Sequence, residues 1–311
     1  MVTIAVAGGT GGFGKTIVQE LIKQKKHKVI VLSRKATPIP DSDVPVLAAD
    51  YSNVESLKKI LAEEKVEVVI SAIIMASEQA SQCQLNLITA ASQTPSVKRF
   101  MPSEYGVDYT EEMLTFQPAA AWWLSANSLL RTTKLEFTRV IFGWVSDYLG
   151  TPHFPTNLSP FKFVLDFDNQ RAAIPGDGTN PVTFLHSSDV GRYVAALVDD
   201  ERKWPEISAF AGDRVSWGEV VRVAEEVTGA KWDITYDTVE NLEKGEATVF
   251  GEAPAQYGLD EAGVKALVVE FALMSVKNIT DISGLGLRNK EYPDIKPLSV
   301  RDVIEAAWGK K

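Results

Sequence analysis

A single cysteine, Cys83, in a chain of 311 residues leaves no partner for an intrachain disulfide and no basis for a cysteine-ligated zinc site. Positive charge is also scarce. Lys and Arg total 32 against 41 Asp and Glu, a formal net charge of −9, whereas a nucleic-acid surface needs clustered excess cations. No apolar run approaches the ~20 residues that cross a bilayer. The start, MVTIAVAGG, has no charged n-region and runs straight into glycines, so it is not read as a signal peptide and the cytoplasm is the expected location. The histidines His27, His153 and His186 are too far apart for metal-ligand spacing, and no G-x-S-x-G nucleophile elbow occurs. Nucleic acid, membrane and metal are therefore not expected partners.

What is present is an ordinary globular composition, with 45% hydrophobic and 23% charged residues. The length suggests about two domains. Residues 3–7 form an apolar run without polar alternation, as in a strand covered on both faces. A glycine-rich turn follows, then Ile17, Val18, Leu21 and Ile22 at helical spacing over residues 16–26. Further strands are expected at 28–32, 44–48, 66–74, 98–101 and 137–142, with Pro45 demoting the second of these to an edge. Helices are expected at 52–64, with Ser52 as N-cap and Glu55 three residues on, and at 80–92, 119–133, 188–198 and 299–308. A hairpin is expected over 169–184, turning at Gly176-Asp177-Gly178. The β-α-β series implies right-handed crossovers and an α/β fold, a doubly wound parallel sheet of Rossmann type with a smaller C-terminal lobe. Residues 1–150 are expected to form the sheet domain and 151–311 mainly the second lobe, with 180–200 returning to the first.

Gly8-Gly9-Thr10-Gly11-Gly12-Phe13-Gly14 lies between a predicted strand and a predicted helix. The G-x-x-G-x-x-G spacing of Gly8, Gly11 and Gly14 permits a tight turn and close backbone approach. The helix N-terminus then offers free N–H groups to a pyrophosphate. The same stretch satisfies G-x-x-x-x-G-K-[ST] through Gly9, Gly14, Lys15 and Thr16, the phosphate loop of nucleotide hydrolases. That reading needs a Mg²⁺-holding Asp at the end of a core strand. Val69-Ile70-Ser71-Ala72 offers none, and only Asp50, after a weaker strand, could substitute. Arg34 ends the second strand about 20 residues beyond the last glycine, where a cation suits a ribose 2′-phosphate. Ser33-Arg34-Lys35 therefore favours NADP(H) over NAD(H).

These segments, together with Ala49-Asp50-Tyr51, Pro102-Ser103-Glu104-Tyr105-Gly106, Leu135-Glu136-Phe137-Thr138, residues 143–150 and Ser188-Asp189-Val190-Gly191-Arg192, resemble the NmrA-like and isoflavone reductase-like family of atypical short-chain dehydrogenases. The resemblance covers about residues 1–230. It implies an NADPH-binding Rossmann domain and a substrate lobe, and a reductase acting on aromatic, phenylpropanoid-like or polyketide-like compounds. By position, Gly8, Gly11, Gly12 and Gly14 would hold the pyrophosphate with the backbone of Thr10 and Phe13. Arg34 and Lys35 would take the 2′-phosphate, Asp50 the adenine side, Ser71 and Ala72 the ribose region, and Pro102 and Ser103 the nicotinamide edge. One departure stands out. Reductases of the family carry a proton-donating Lys in the helix after the P-S-E-F-G segment, and here Trp123, Leu124 or Ser125 falls at that slot.

Hydride transfer leaves negative charge that an acid must quench. The candidate catalytic groups are Tyr105, just past the predicted strand at 98–101, His153 in a Pro-flanked loop, and Lys134, the only Lys between Lys98 and Lys162. Tyr148 and His186 are weaker candidates. The Y-x-x-x-K match of Tyr292 and Lys296 lies in a Pro-bearing loop and is read as coincidence. Trp122 and Trp123, with Phe116, could line a flat apolar pocket or belong to the core. The expected function is NADP(H)-dependent hydride transfer to a carbonyl, imine or conjugated alkene of an apolar small molecule, by a monomer or homodimer. An NADP(H)-sensing regulator and a coenzyme-retaining isomerase or cyclase are the alternatives.

Overall fold

In a computed structural model, which describes residues 1–40 and 42–309, the chain divides into two units. The first comprises Met1–Tyr105, Tyr109–Ile141 and Val190–Ser208, and the second Gly106–Asp108, Phe142–Asp189 and Ala209–Lys311.

The first unit is built on β1 (Thr3–Ala7), β2 (Lys28–Ser33), β3 (Val46–Ala48), β4 (Val68–Ser71), β5 (Arg99–Met101) and β6 (Glu136–Phe137), all parallel in the order β3-β2-β1-β4-β5-β6. Helices α1 (Gly12–Gln24), α2 (Val54–Glu63), α3 (Glu78–Gln93) and α4 (Ala120–Arg131) supply the crossovers. The apolar runs of β1 and β2 are unalternating because helices cover both faces of the sheet. Ile4, Ala5, Val6, Ala7, Ile30, Val31 and Leu32 are all fully buried. On α2, Leu57 and Leu61 are buried, and Val54 and Ile60 pack against the same core. Strand order reverses between β1 and β4. A ligand crevice in such a sheet opens at the carboxyl ends of the strands flanking that switch point.

Four local expectations are corrected. The N-cap of α2 is Asn53, whose side chain accepts from Ser56 N at 3.0 Å, while Ser52 instead donates to Asp50 Oδ1 through both N and Oγ. The strand expected over 66–74 is shorter, because Ala72 N to Ala7 O (2.8 Å) is the last rung against β1. The strand expected over 137–142 breaks at Thr138. There the backbone leaves Phe100 O, and β7 (Arg139–Ile141) begins on a new partner, with Arg139 N donating to Glu206 O at 2.8 Å.

The fourth correction lies in the second unit, which contains β8 (Trp144–Val145), β9 (Leu165–Asp166), β10 (Arg171–Pro175) and β11 (Pro181–Leu185). The chain continues through α5 (Ser187–Asp199), β12 (Ile207–Ala209), β13 (Asp213–Ser216), α6 (Trp217–Thr228), β14 (Asp233–Asp237), α7 (Val239–Glu243), α8 (Glu261–Val276) and α9 (Val300–Trp308). Strands β10 and β11 do not form a hairpin. Gly176 and Gly178, at φ +65° and +75°, let the chain leave one three-stranded sheet (β14-β10-β9) and enter another (β13-β11-β8). An aromatic core of Trp144, Phe163, Phe184 and Trp217 fills this unit. Helix α9 starts with a Ser299–Asp302 capping box and buries Val300, Val303 and Ile304. No helix among the described residues is long and apolar enough to cross a membrane.

Candidate functional site

The glycine turn joins β1 to α1 at the carboxyl edge of the sheet. Gly8 sits at φ +77°, donates from N to Leu32 O at 3.1 Å, and has no room for a side chain, since a Cβ would lie 2.5 Å from Ala72 O. Gly14 is equally constrained, because its Cβ would lie 2.2 Å from Gly8 O. These two glycines are demanded by the protein's own packing. Gly11 is not. It caps α1 in an extended conformation (φ −156°, ψ 170°) open to any residue, and a Cβ there would meet nothing within 4 Å. It makes no side-chain cap, and the first turn of α1 carries no acidic residue. The positive dipole end of this 13-residue helix therefore opens on the space that a side chain at Gly11 would enter.

Beside the turn lies an open cleft of about 670 Å³ lined by Thr10, Ser33, Arg34, Lys35 and the 37–40 segment. Arg34 and Lys35 are exposed there. Asp50 is exposed as well, and its hydrogen bonds from the Ser52 side chain and backbone hold its carboxyl below the usual range. That engagement with Ser52 gives no support to a cation-holding role in a phosphate loop. Cys83 on α3 is half-buried, and burial pushes its thiol pKa up, with Arg34 opposing and Asp50 adding to the shift. The thiol thus shares the neighbourhood of both charged groups.

At the carboxyl ends of β4 and β5 the residues are buried and tied down. Ser71 is fully buried, and its Oγ has no hydrogen-bond partner. Ser103 is held on three sides: its N donates to Gln84 Oε1 (2.8 Å), its Oγ donates to Ile73 O (2.8 Å), and its carbonyl accepts from Trp123 Nε1 (2.9 Å). Glu104 pairs with Arg139 of β7, with 3.7 Å between Oε2 and Nε, and both side chains are almost wholly buried. Tyr105 stacks on Phe13 of the glycine turn, with ring centroids 5.4 Å apart and an interplanar angle of 19°. Its hydroxyl is buried without a hydrogen-bond partner, and burial drives its pKa far above the ordinary range.

The structure thus gathers Gly8, Thr10, Gly11, Gly12, Phe13, Gly14, Arg34, Lys35, Asp50, Ser71, Ala72, Pro102, Ser103 and Tyr105 along one edge of the first unit's sheet. Lys134 is not among them. It is exposed in the turn between α4 and β6, at the amino edge of the parallel strands, so it cannot serve chemistry at the opposite edge. Of the three residues that fall at the slot of the helical Lys, Trp123 is locked by its bond to Ser103 and by a 4.1 Å parallel stack on Tyr109. His153 lies in the second unit, exposed, with its ring edge-on to Trp308 at 4.5 Å. His186 is buried there, with Nδ1 2.8 Å from Ser188 Oγ and Nε2 3.5 Å from Asp147, as a structural polar cluster requires. Sequence reasoning missed Gln84 and Arg139. Gln84 had a legible signal, a lone amide on the stripe of α3 that also carries Leu87, Ile88 and Ala91.

The model of the NmrA-like family matches residues 1–268. The chain belongs to the NmrA-like family. Among its relatives, oxidoreductase swnN of Metarhizium robertsii is 32% identical, the match covering 99% of this chain and 98% of that one. Oxidoreductase BOA1 of Botryotinia fuckeliana is 41% identical over 75% of this NmrA-like chain and 78% of the relative. Among solved structures, a ternary complex of leucoanthocyanidin reductase from Vitis vinifera superposes with a TM-score of 0.75 at 19% identity, covering 97% of this chain and 98% of that one. A structure of AtPrR2 with NADP+ and (+)pinoresinol gives 0.74 at 20% identity, covering 98% of both. At these identities the superpositions establish the Rossmann-type fold of this NmrA-like protein.

Proposed function

We propose that the protein is an NADPH-dependent oxidoreductase that delivers hydride to a carbonyl, imine or conjugated alkene of an apolar, aromatic or polyketide-like small molecule. The observation that carries this reading is Gly11. The protein's packing does not require a glycine there, and the backbone does not need one, yet a side chain would fill the hollow before α1. A pyrophosphate needs that hollow. The residues present fit the coenzyme: the 8–14 turn for the pyrophosphate, Arg34 and Lys35 for the 2′-phosphate, Asp50 for the adenine side, Ser71 and Ala72 for the ribose, and Pro102 and Ser103 for the nicotinamide edge. The names of relatives, oxidoreductase swnN and oxidoreductase BOA1, and neighbours solved with NADPH or NADP+ support the same reading. When bound, the coenzyme supplies the hydride. The chain's own residues bind, orient and exclude water around it.

Calorimetry with the two reduced coenzymes tests this. Arg34→Ala should weaken NADPH by about 1–3 kcal/mol, roughly 5- to 150-fold, and leave NADH nearly unchanged. Equal losses would refute the role of Arg34. A second measurement uses the sole thiol. Because Cys83 lies near Arg34 and Asp50, saturating NADP+ should slow its alkylation by N-ethylmaleimide several-fold. An unchanged rate would contradict the adenosine placement.

Trp123, Leu124 or Ser125 at the slot of the helical Lys, none of them a Lys, favours one rival, a coenzyme-binding regulator without turnover. NADPH oxidation against a panel of aromatic ketones and enones separates the two, since only the reductase consumes coenzyme.

A further inference from the structure

Resting on the coenzyme reading above, we propose that the Tyr105 hydroxyl is the group that hands the proton to the reduced substrate. The acceptor of a hydride must gain a proton, and a positioned acid near the coenzyme's reactive end supplies it. Several acidic or hydroxyl groups on this edge of the first unit already have work elsewhere. Tyr51 donates to Leu32 O at 2.9 Å, Ser103 donates to Ile73 O, and Glu104 is paired with buried Arg139. Asp50 is held by Ser52. Lys134 is at the far edge of the sheet. Ser71 Oγ is also buried without a partner, but an aliphatic hydroxyl is a far weaker acid than a phenol. Tyr105 differs from all of these.

Its ring is held against Phe13, so it is anchored to the glycine turn itself. Its backbone follows Ser103 and Glu104, two residues fixed to α3, α4 and β7. Its oxygen is buried and has no hydrogen-bond partner. A buried orphan hydroxyl is unfavourable in the free protein, and such a group persists at a functional site where a ligand supplies its partner. Burial, with no neighbouring charge contributing, keeps the phenol protonated and therefore a donor at neutral pH.

With a carbonyl substrate, the carbon gains the hydride that the coenzyme supplies, and the C=O π pair moves to oxygen. The O–H bond of Tyr105 breaks as its proton joins that oxygen. The substrate is reduced by two electrons and the coenzyme oxidised by two. The phenolate regains a proton from water before the next cycle.

The test compares wild type with Tyr105→Phe by tyrosinate absorbance during alkaline titration, each protein saturated with NADP+, alongside calorimetry for NADP+ and thermal unfolding without coenzyme. In the wild-type complex one phenol should titrate at a lower pH than it does in the coenzyme-free protein, because the cationic nicotinamide stabilises phenolate. That phenol should be missing from Tyr105→Phe. The variant should hold NADP+ as tightly as wild type and, lacking the orphan hydroxyl, melt about 2 °C higher. Reduction of any panel ketone or enone that wild type turns over should fall by roughly 10²–10⁴-fold. Identical phenol titrations in the two complexes, or undiminished reduction by the variant, would overturn the assignment while leaving the coenzyme site intact. Failure of wild type to bind NADP+ at all would instead overturn the coenzyme reading.

Discussion

Gly11→Val should abolish tight NADPH binding, by roughly 100-fold or more in affinity, while the protein still folds. The two halves of this expectation come from different observations. Folding survives because Gly11 is extended, at φ −156°, where a β-branched residue is comfortable, and its added side chain meets no protein atom within 4 Å. The remaining cost is the loss of a favoured N-cap residue, up to about 1 kcal/mol, or a fall in Tm of about 2–4 °C. Binding fails because an isopropyl group occupies the space before the N–H groups of α1, where a pyrophosphate must approach the backbone. A 100-fold loss is roughly 2.8 kcal/mol, modest for a direct steric block. Calorimetry and a thermal scan on the same preparation check both halves. Retained affinity would remove the pyrophosphate from this turn. Gly14 shows why the choice of glycine matters: with Gly8 O 2.2 Å from its would-be Cβ, any substitution there confounds folding with binding.

That contrast also marks how far the sequence could be read. The spacing of Gly8, Gly11 and Gly14 was visible, as were the unalternating strands on either side of the turn, because sheet burial and backbone approach impose local patterns. Which glycine the fold demands and which it leaves free was not visible, since it depends on Ala72 at the end of β4 and on empty space before α1. The N-cap of α2 was misplaced by one residue because Ser52 and Asn53 are both good caps, and Asp50 decided between them. The 169–184 hairpin failed for a related reason. Its turn chemistry was right, but pairing was settled by β13 and β14, some 30 to 60 residues further on. Lys134 looked eligible only while its edge of the sheet was unknown. The orphan state of the Tyr105 hydroxyl has no one-dimensional signature, because it is a property of everything that surrounds the oxygen and fails to bond to it.

Glu104→Gln should be the most destabilising conservative change on this edge, by about 3–5 kcal/mol, with a fall in Tm of roughly 10 °C. The substitution preserves volume and shape, so packing is not the cause. It removes the negative partner of Arg139, whose side chain is only 4% exposed, and leaves a guanidinium in the interior facing a neutral amide. Water cannot reach that charge to replace the lost carboxylate, and Glu206, whose carboxyl also feels Arg139, offsets only part of the lost pairing. A double variant, Glu104→Gln with Arg139→Met, separates this account from a loss of hydrogen bonding by Glu104 itself. Removing both charges should recover much of the stability, so that the two substitutions together cost less than the sum of each alone. Urea unfolding of the four proteins gives the cycle directly. Strict additivity would mean that the pair contributes nothing as a pair, and that another feature fixes the segment between Pro102 and Tyr105 to β7.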